Sequence, residues 1–246
     1  MTVYCACLAF LLGLVFGSFG NAWAWRIVHH ESIAKGRSHC ADCGHTLGVT
    51  DLIPLVSWLA LKGKCRYCGA KISRRYPLME LLLGLCFLSV FLRWRFSLDT
   101  VRYLILFFLL MVASLVDYDT MELPNGLLIA AYVAALMRLP DWKGILIGTF
   151  AVSVPVILIV LVMDRILKKD SFGGGDIKLL AVLGAHFGAA QCVLLLLFSC
   201  IAGLVFAAVA KKGKGNPFPF GPVLAVGAWF TCLFGTQIIN WYTSLF

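Results

Sequence analysis

Charged residues are scarce in this sequence: only 13% of its 246 residues are Asp, Glu, Lys or Arg, whereas 61% are hydrophobic. A soluble domain of this size could not bury so much apolar surface, so the composition excludes the ordinary globular class. We expect no cleavable signal peptide, because the first apolar run, residues 3–25, has no basic n-region and is too long for an h-region. The expected class is a polytopic membrane protein that keeps this run as a span.

The sequence also lacks the glycine-rich loops of common nucleotide-binding folds. No G-x-G-x-x-G segment follows a predicted strand, and the Gly-Gly-Gly-Asp segment at 173–176 lacks the lysine and serine that end a Walker loop. A net charge of +9 would suggest nucleic-acid binding in a soluble protein, but here the basic residues lie in loops between apolar runs. Membrane topology is the simpler explanation, and no nucleic-acid partner is expected.

Apolar residues form eight runs, and each predicts a transmembrane helix of an all-α fold. The runs cover roughly residues 3–25, 77–92, 99–116, 124–137, 144–163, 177–191, 192–210 and 218–239. The second, fourth and sixth runs are shorter than the roughly 20 residues that span a bilayer, so their boundaries are soft. Only a weak break near residues 186–191 separates the sixth run from the seventh, which leaves seven spans as an alternative.

The basic residues predict the orientation, because Lys and Arg concentrate on the cytoplasmic side of membrane proteins. With eight spans, loops 26–76, 117–123, 164–178 and 211–216 share one side and hold 16 of the 21 Lys and Arg residues. The other side holds Arg93, Arg95, Arg102, Arg138 and Lys143. We therefore expect a bacterial inner-membrane protein with both termini outside. Its expected parts are a first helix (1–25), a cytoplasmic loop domain (26–76) and a transmembrane domain (77–246).

The first loop carries two C-x-x-C pairs, Cys40 with Cys43 and Cys65 with Cys68, with 21 residues between them. Two such pairs are typical of a tetrahedral zinc site with four thiolate ligands. One structural zinc per chain is expected, since four protein ligands leave no open position for a catalytic water. Disulfides or free thiols are the alternative, and a reducing cytoplasm disfavours disulfides.

The histidines of the loop and the other cysteines are not expected to bind the metal. His39 and His45 flank the first pair and could replace a cysteine ligand, but with a complete set of four cysteines we expect them to lie outside the ligand set or in solvent. The remaining cysteines lie in apolar runs and are expected to be small core residues. They are Cys5, Cys7, Cys86, Cys192, Cys200 and Cys232.

Two carboxylates lie at membrane boundaries, where an ionised acid costs roughly a few kcal/mol and usually has a function or a partner. Asp117 ends the third apolar run, and Asp176 closes the segment at 173–176 before the sixth. Although 59 positions separate them, the topology places both at the cytoplasmic face. Asp119 and Glu122 follow Asp117 in the same polar loop, but Asp117 should be the most desolvated of the three.

Two acids on one face can share a proton and a water, as in an aspartyl protease. One carboxylate would take a proton from water, and the protonated partner would donate to the scissile carbonyl oxygen. Gly173, Gly174 and Gly175 permit unusual dihedrals and would let a substrate backbone approach closely. The segment could otherwise be a hinge, a phosphate-binding nest or a helix start capped by Asp. The acids could likewise be neutralised by Lys178 or Arg165.

Over most of its length the chain resembles the type IV prepilin peptidases. The resemblance rests on Gly17-Ser18-Phe19-Gly20-Asn21 with Arg26, on the cysteine pairs, on segments 53–59 and 72–80, on Asp117 with Leu123-Pro124, and on Gly173-x-Gly175-Asp176 with Lys178-Leu179. Two residues depart from the family pattern without touching the acids. Asn125 stands where an Asp is common, and Gly20 stands where a larger apolar residue is common.

The resemblance implies a bifunctional membrane enzyme with the two acids as its catalytic pair. Such an enzyme cuts the basic leader of a prepilin or pilin-like protein after a glycine at the cytoplasmic membrane face. It then N-methylates the new N-terminal residue, usually Phe, from S-adenosylmethionine. Lys178, Glu80 and the three glycines are the expected substrate-binding residues, although Glu80 could instead pair with Arg74 or Arg75.

Other function classes fit parts of the pattern. An ion-coupled transporter would also use intramembrane Asp residues and glycine-broken helices, but it predicts inverted repeats, and none is convincing here. A binding module that recruits partners through zinc would leave the carboxylates inert. A presenilin-like protease shares the G-x-G-D pattern but would lack the four-cysteine loop. Incubation of the purified protein with a prepilin separates these classes.

Overall fold

The computed structural model describes residues 2–34, 36–139, 141–168, 172–209 and 219–245, without the side chains of 206–209. Within these residues the chain consists of helices and turns, with no strand, so the predicted all-α class is confirmed. Some residues that contributed to the predicted spans and orientation lie outside the described part. They are Lys35, Lys169, Ala210, Lys211, Lys212, Lys214 and Phe218.

In the described part of the chain, each of the eight predicted runs forms a helix, and a short ninth helix lies in the first loop. The helices are α1 (Thr2–Val28), α2 (Val56–Ala60), α3 (Arg75–Trp94), α4 (Leu98–Thr120), α5 (Asn125–Ala135), α6 (Trp142–Leu167), α7 (Gly174–Phe187), α8 (Ala189–Val209) and α9 (Gly221–Thr243). Helices α1, α3, α4, α6 and α9 are long and apolar enough to cross a membrane. Gly188, with a φ of 78°, separates α7 from α8, so the sixth and seventh runs are two helices rather than one.

The chain forms two compact units, Met1–Phe96 and Ser97–Phe246. In the N-terminal unit, α1 and α3 approach each other through small residues. A β-carbon on Gly13 would lie 2.7 Å from the α-carbon of Gly84, and one on Gly17 would lie 2.7 Å from the α-carbon of Glu80. Two glycines four positions apart on α1 therefore bring the two backbones together, as is common in membrane helix pairs.

In the C-terminal unit, α4 supplies much of the core, with Leu106 and Val112 fully buried. Gly148 of α6 and Gly184 of α7 lie so close that a β-carbon on either would collide with the carbonyl of the other. Helix α7, which carries Asp176 in its first turn, is therefore packed directly against α6 at Gly184.

Two arginines hold the C-terminal end of α7. The Nη1 atoms of Arg102, on α4, and Arg138, after α5, donate to the carbonyl oxygen of His186 at 2.7 and 3.2 Å. The His186 side chain is 1% exposed, and its Nε2 lies 2.8 Å from the carbonyl oxygen of Ala131. These contacts give the last turn of α7 the donors that a helix end requires.

Candidate active site and metal centre

Asp117 lies in the last full turn of α4, directly after the buried part of that helix. It is only 5% exposed, whereas Asp119, two positions later, lies on the outer face. The helix ends because Met121 adopts a left-handed conformation, with a φ of 57°, and its N–H donates to the Asp117 carbonyl oxygen at 2.8 Å. The burial expected for Asp117 is therefore present, and its catalytic role stays a prediction.

Asp176 is the third residue of α7 and is half-buried. Gly173 is the N-cap, and the N–H of Asp176 donates to its carbonyl oxygen at 3.1 Å. The alternative in which Asp176 caps the helix is wrong, because the residue lies inside the first turn with its carboxylate free to face the other acid. An acid in a first helical turn is favoured by the helix dipole.

The structure brings the two acids together at one end of the C-terminal unit, close enough for their charges to interact directly. Helix α9 completes the site, because the N–H of its first residue, Gly221, donates to Oδ2 of Asp117 at 2.8 Å. Sequence reasoning missed Gly221. The available signal was Gly221 followed by Pro222, a helix start on the side of the membrane where both acids were expected.

The three glycines before Asp176 have different surroundings. Among the described residues, a β-carbon on Gly174 would meet nothing within 4 Å, whereas one on Gly173 would lie 3.0 Å from Oδ2 of Asp176. A β-carbon on Gly175 would lie 3.1 Å from the β-carbon of Leu123, in the segment that follows α4. Gly174 therefore offers open space beside the acids, and Gly175 is fixed by packing within the chain.

Lys178 is placed beside the same segment. Its Nζ donates to Oδ1 of Asn125, the first residue of α5, at 2.9 Å. Asn125 is the residue that stands where an Asp is common in the family pattern. Lys178 therefore ties α7 to the start of α5, and its predicted role in binding substrate stays a prediction.

Glu80, the remaining predicted substrate residue, belongs to the N-terminal unit and is 8% exposed. Its Oε2 accepts the N–H of Leu55 at 2.8 Å, and Ser18 also hydrogen-bonds to its side chain. Leu55 has a φ of 60°, and the N–H of Val56 donates to the carbonyl oxygen of Pro54 at 2.6 Å. This tight turn is a strained conformation for leucine, so Glu80 stabilises a strained segment of the loop.

The four predicted cysteine ligands converge: the Sγ atoms of Cys40, Cys43, Cys65 and Cys68 all lie within 4.8 Å of one another. They can hold a metal ion. Each pair forms the same turn, in which the N–H of the residue after the second cysteine donates to the carbonyl oxygen of the first cysteine, at 2.9 and 3.0 Å. The donors are Gly44 and Gly69, whose φ values of 69° and 75° explain why glycine follows each pair.

Two thiols of this cluster, Cys65 and Cys68, differ in pKa and hence in how easily they form the thiolate that binds metal. The N–H groups of Cys68 and Tyr67 hydrogen-bond to the sulfur of Cys65 and lower the pKa of Cys65 to about 7. The N–H of Ala70 acts in the same direction on Cys68, but desolvation and the neighbouring thiols outweigh it and raise the pKa of Cys68 to about 12. A thiolate is the form that binds metal, so Cys65 is the thiol that ionises most easily.

Asp51 connects the second cysteine pair to the preceding segment. Its carboxylate accepts Nε of Arg66 at 2.7 Å, the hydroxyl of Tyr67 at 3.0 Å and the N–H of Gly48 at 3.1 Å. The Arg66 guanidinium holds the pKa of Asp51 below its usual range. Both Arg66 and Tyr67 lie between the ligands of the second pair, so Asp51 fixes that turn from outside.

The two flanking histidines lie against aromatic rings. The His39 ring meets Trp25 edge-on at 5.4 Å, and the His45 ring lies 3.6 Å from the ring of Tyr67. Among the described residues, the cluster that could hold a metal consists of the four cysteines alone. This placement agrees with the expectation that neither histidine is a metal ligand.

Two family models match this chain. The model of the bacterial peptidase A24 N-terminal domain matches residues 11–94, and the model of the type IV leader peptidase family matches residues 104–208. The chain belongs to the type IV leader peptidase family. The first match contains both cysteine pairs and the second contains both acids, which confirms the resemblance found in the motifs and the prediction of an enzyme.

Full-length relatives agree with the family assignment. A Bacillus subtilis (strain 168) prepilin leader peptidase/N-methyltransferase is 34% identical over 245 residues, covering 96% of this chain and 97% of the relative. A type 4 prepilin-like proteins leader peptide-processing enzyme of Escherichia coli O78:H11 is 37% identical over 248 residues, covering 89% and 90%. A prepilin leader peptidase/N-methyltransferase of Stutzerimonas stutzeri is 35% identical over 281 residues, covering 95% and 92%. No solved structure matches, and the relatives give the transporter alternative no support.

Proposed function

We propose that this protein is a membrane aspartyl endopeptidase that removes the leader peptide of type IV prepilins and pilin-like proteins and N-methylates the new N-terminus. The observation that carries the proposal is the convergence of Asp117 and Asp176 in a member of the leader peptidase family. Both acids are partly shielded from water, and neighbouring carboxylates in such a site share one proton.

The acid pair can hydrolyse a peptide bond without a metal ligand. The ionised acid takes a proton from a water molecule, whose oxygen attacks the scissile carbonyl carbon. The protonated acid donates to the carbonyl oxygen. The carbon–nitrogen bond then breaks, the amine leaves with the proton that came from water, and both acids return to their initial states.

The substrate must expose its backbone to reach the acids. A helical segment keeps its carbonyl groups in internal hydrogen bonds, so the substrate unwinds near the cut. A glycine before the cut favours this step, since it weakens a helix by roughly 1 kcal/mol relative to alanine. In the described part of the chain, Gly174 provides an open backbone surface beside Asp176 along which an extended substrate can lie, with Gly173 and Lys178 as further proposed substrate contacts.

The cysteine cluster is proposed to hold one structural zinc. Tetrahedral zinc–sulfur bonds of about 2.3 Å require sulfur atoms roughly 3.8 Å apart, and the sulfur atoms of Cys40 and Cys68 are separated by 3.9 Å. Zinc bound there supplies folding energy to a loop that has little apolar core of its own. The four cysteines leave no position for a substrate on the metal.

The methyl donor is proposed to be S-adenosylmethionine on the strength of the relatives' names. The described residues contain no strand and hence no strand-to-helix glycine loop for its adenosine group, so its site is of another kind. The distribution of Lys and Arg supports an inner-membrane location with the acids and the cysteine loop on the cytoplasmic side and both termini outside.

Cleavage of a prepilin by the purified protein in lipid nanodiscs tests the proposal. The wild-type protein should release the leader, and Asp117→Asn and Asp176→Asn should each abolish release without loss of folding. The matched control is Asp119→Asn, an exposed acid of the same helix turn, which should keep most activity. Cleavage by either of the first two variants at the wild-type rate would remove that acid from the mechanism.

A further inference from the structure

The two acids have unequal surroundings. Oδ2 of Asp117 accepts the N–H of Gly221 at 2.8 Å. Among the described residues, the carboxylate of Asp176 receives no hydrogen bond. Its Oδ2 lies close to Gly173, where a β-carbon would be 3.0 Å away. A hydrogen-bond donor stabilises the charged form of a carboxylate. The dipole of α7 also favours charge on Asp176, but a direct hydrogen bond to a charged group is the stronger of the two effects, so the pair is asymmetric before any substrate binds.

The donor on Asp117 is rigidly placed. Gly221 begins α9, and Val223 and Leu224, in the same turn, are 8% and 0% exposed. A β-carbon on Gly221 would lie 2.8 Å from Oδ2 of Asp117, so glycine is the residue that lets this N–H approach so closely. The preceding ring, Phe220, meets Phe172 edge-on at 5.6 Å and so joins the start of α9 to the start of α7.

We propose that the backbone N–H of Gly221 fixes the roles of the two acids: Asp117 is the carboxylate that activates water, and Asp176 carries the shared proton. The inference rests on the proposed peptidase function and assigns its two steps. Asp117 takes the proton from water as the water oxygen bonds to the carbonyl carbon, and Asp176 gives its proton to the carbonyl oxygen. On collapse, the carbon–nitrogen bond breaks, Asp117 returns its proton to the amine, and the hydroxyl of the intermediate returns one to Asp176.

Gly221 is a positioning residue, because it acts through Asp117 and does not touch the reacting atoms. Its N–H holds one carboxylate oxygen and leaves the other free to accept the proton of water. The same bond disfavours placing the shared proton on Asp117. Removal of the N–H should therefore slow the chemical step and let either acid carry the shared proton, while leaving substrate binding intact.

Selective esterification of the wild-type protein in nanodiscs is the first test. An ionised carboxylate opens an epoxide, whereas a diazo compound esterifies an acid that supplies a proton. At neutral pH a small apolar epoxide should label Asp117 and a small apolar diazo ester should label Asp176, as read by peptide mass spectrometry. Epoxide ester on Asp176 with diazo ester on Asp117 would overturn the assignment.

The second test replaces Gly221 with glycolic acid by nonsense suppression in cell-free synthesis, which exchanges the N–H for an oxygen atom and adds no side chain. We expect kcat for prepilin cleavage to fall about ten- to hundredfold, as for loss of a hydrogen bond to a charged group, with KM within about twofold. Both labels should then distribute over the two acids. The control is the same exchange at Gly126, in the first turn of α5, where a β-carbon would meet no described residue within 4 Å.

The outcomes separate this inference from the function on which it rests. A Gly221 ester with wild-type kcat and wild-type label selectivity would overturn the role of the N–H. Cleavage that survives both Asp117→Asn and Asp176→Asn would overturn the peptidase function itself. Loss of cleavage in both Asp variants, together with an unchanged Gly221 ester, would leave the function standing and overturn only the role of the Gly221 N–H.

Discussion

Leu123 lies against Gly175 so closely that a β-carbon on Gly175 would be 3.1 Å from Cβ and 3.3 Å from Cδ1 of the leucine. Leu123 belongs to the segment between α4 and α5, and Gly175 to the first turn of α7. Asp117 is in the last turn of α4, and Asp176 directly follows Gly175. The contact therefore joins the two elements that carry the acids, and it explains a glycine that the sequence suggested was kept for the substrate.

Gly175→Val should lose cleavage although both acids remain, because the added methyl groups push α7 away from the Leu123 segment. Overpacking of this kind costs about 1–3 kcal/mol. The double variant Gly175→Ala with Leu123→Gly should recover activity that Gly175→Ala alone loses, since the second change removes the leucine β-carbon that would lie 3.1 Å from the new methyl group. Initial rates of prepilin cleavage and prepilin crosslinking in the same nanodiscs measure turnover and binding separately.

Gly174→Val is the matched comparison, because no described residue lies within 4 Å of a β-carbon at Gly174. It should raise KM without lowering Tm, and Leu123→Gly should not rescue it. If Leu123→Gly fails to rescue Gly175→Ala while the fold is intact, the substrate rather than Leu123 is what requires glycine at 175.

The sequence predicted the helices well because a membrane imposes a simple rule. Each span must satisfy its backbone internally and cover the hydrocarbon with apolar residues, so an apolar run reads directly as a helix. The same local logic selected Asp117 over Asp119, since only the former closes a run. The spacing of the cysteine pairs likewise predicted a cluster that the structure assembles.

Contacts between distant residues could not be predicted in this way. Gly221 and Asp117 are 104 positions apart, and their hydrogen bond depends on how α9 packs against α4 rather than on any periodic pattern. Glu80 was expected to bind substrate or an arginine, and its observed partner is the N–H of Leu55 in a strained turn. A sequence pattern can mark Gly221-Pro222 as a helix start, but it does not show which side chain the backbone N–H of Gly221 or of Leu55 contacts.

One zinc per chain should co-purify with the protein, held by the four cysteines. Elemental analysis of protein purified without added metal gives the stoichiometry, and about one equivalent is expected for a closed four-thiolate site. Substitution of Cys65 by Ser should remove the metal and expose the loop to protease. Less than about half an equivalent, together with four titratable thiols, would contradict a structural metal site.

Asp51 should control how firmly that metal is held. Asp51→Ala removes the acceptor shared by Gly48, Arg66 and Tyr67, so the second cysteine turn loses its outer support. Such changes around a metal ligand typically cost about ten- to hundredfold in metal affinity. Transfer of zinc to a chromogenic chelator measures the effect, and Asp42→Asn, an exposed acid between Cys40 and Cys43, is the control. Equal release rates in the two variants would show that Asp51 does not support the site.

Arg102 should stabilise the C-terminal unit through the far end of α7. It is 3% exposed, donates to the His186 carbonyl oxygen at 2.7 Å, and forms an ion pair with Asp99 at 2.6 Å. Arg102→Met would leave that carbonyl with the longer hydrogen bond from Arg138, at 3.2 Å, and would remove the ion-pair partner of Asp99. The loss of a buried donor costs about 1–3 kcal/mol.

Arg102→Lys should recover little of this loss, because a lysine cannot reproduce the planar fork that reaches two acceptors at once. In a chain of this size, each kcal/mol corresponds to roughly 2–4 °C of Tm, so thermal unfolding in nanodiscs resolves the effect. Lys143→Gln is the control, since Lys143 is exposed in the first turn of α6. Because α7 carries Asp176 at its other end, Arg102→Met should also lower kcat. An unchanged Tm in this variant would show that Arg102 does not hold the last turn of α7.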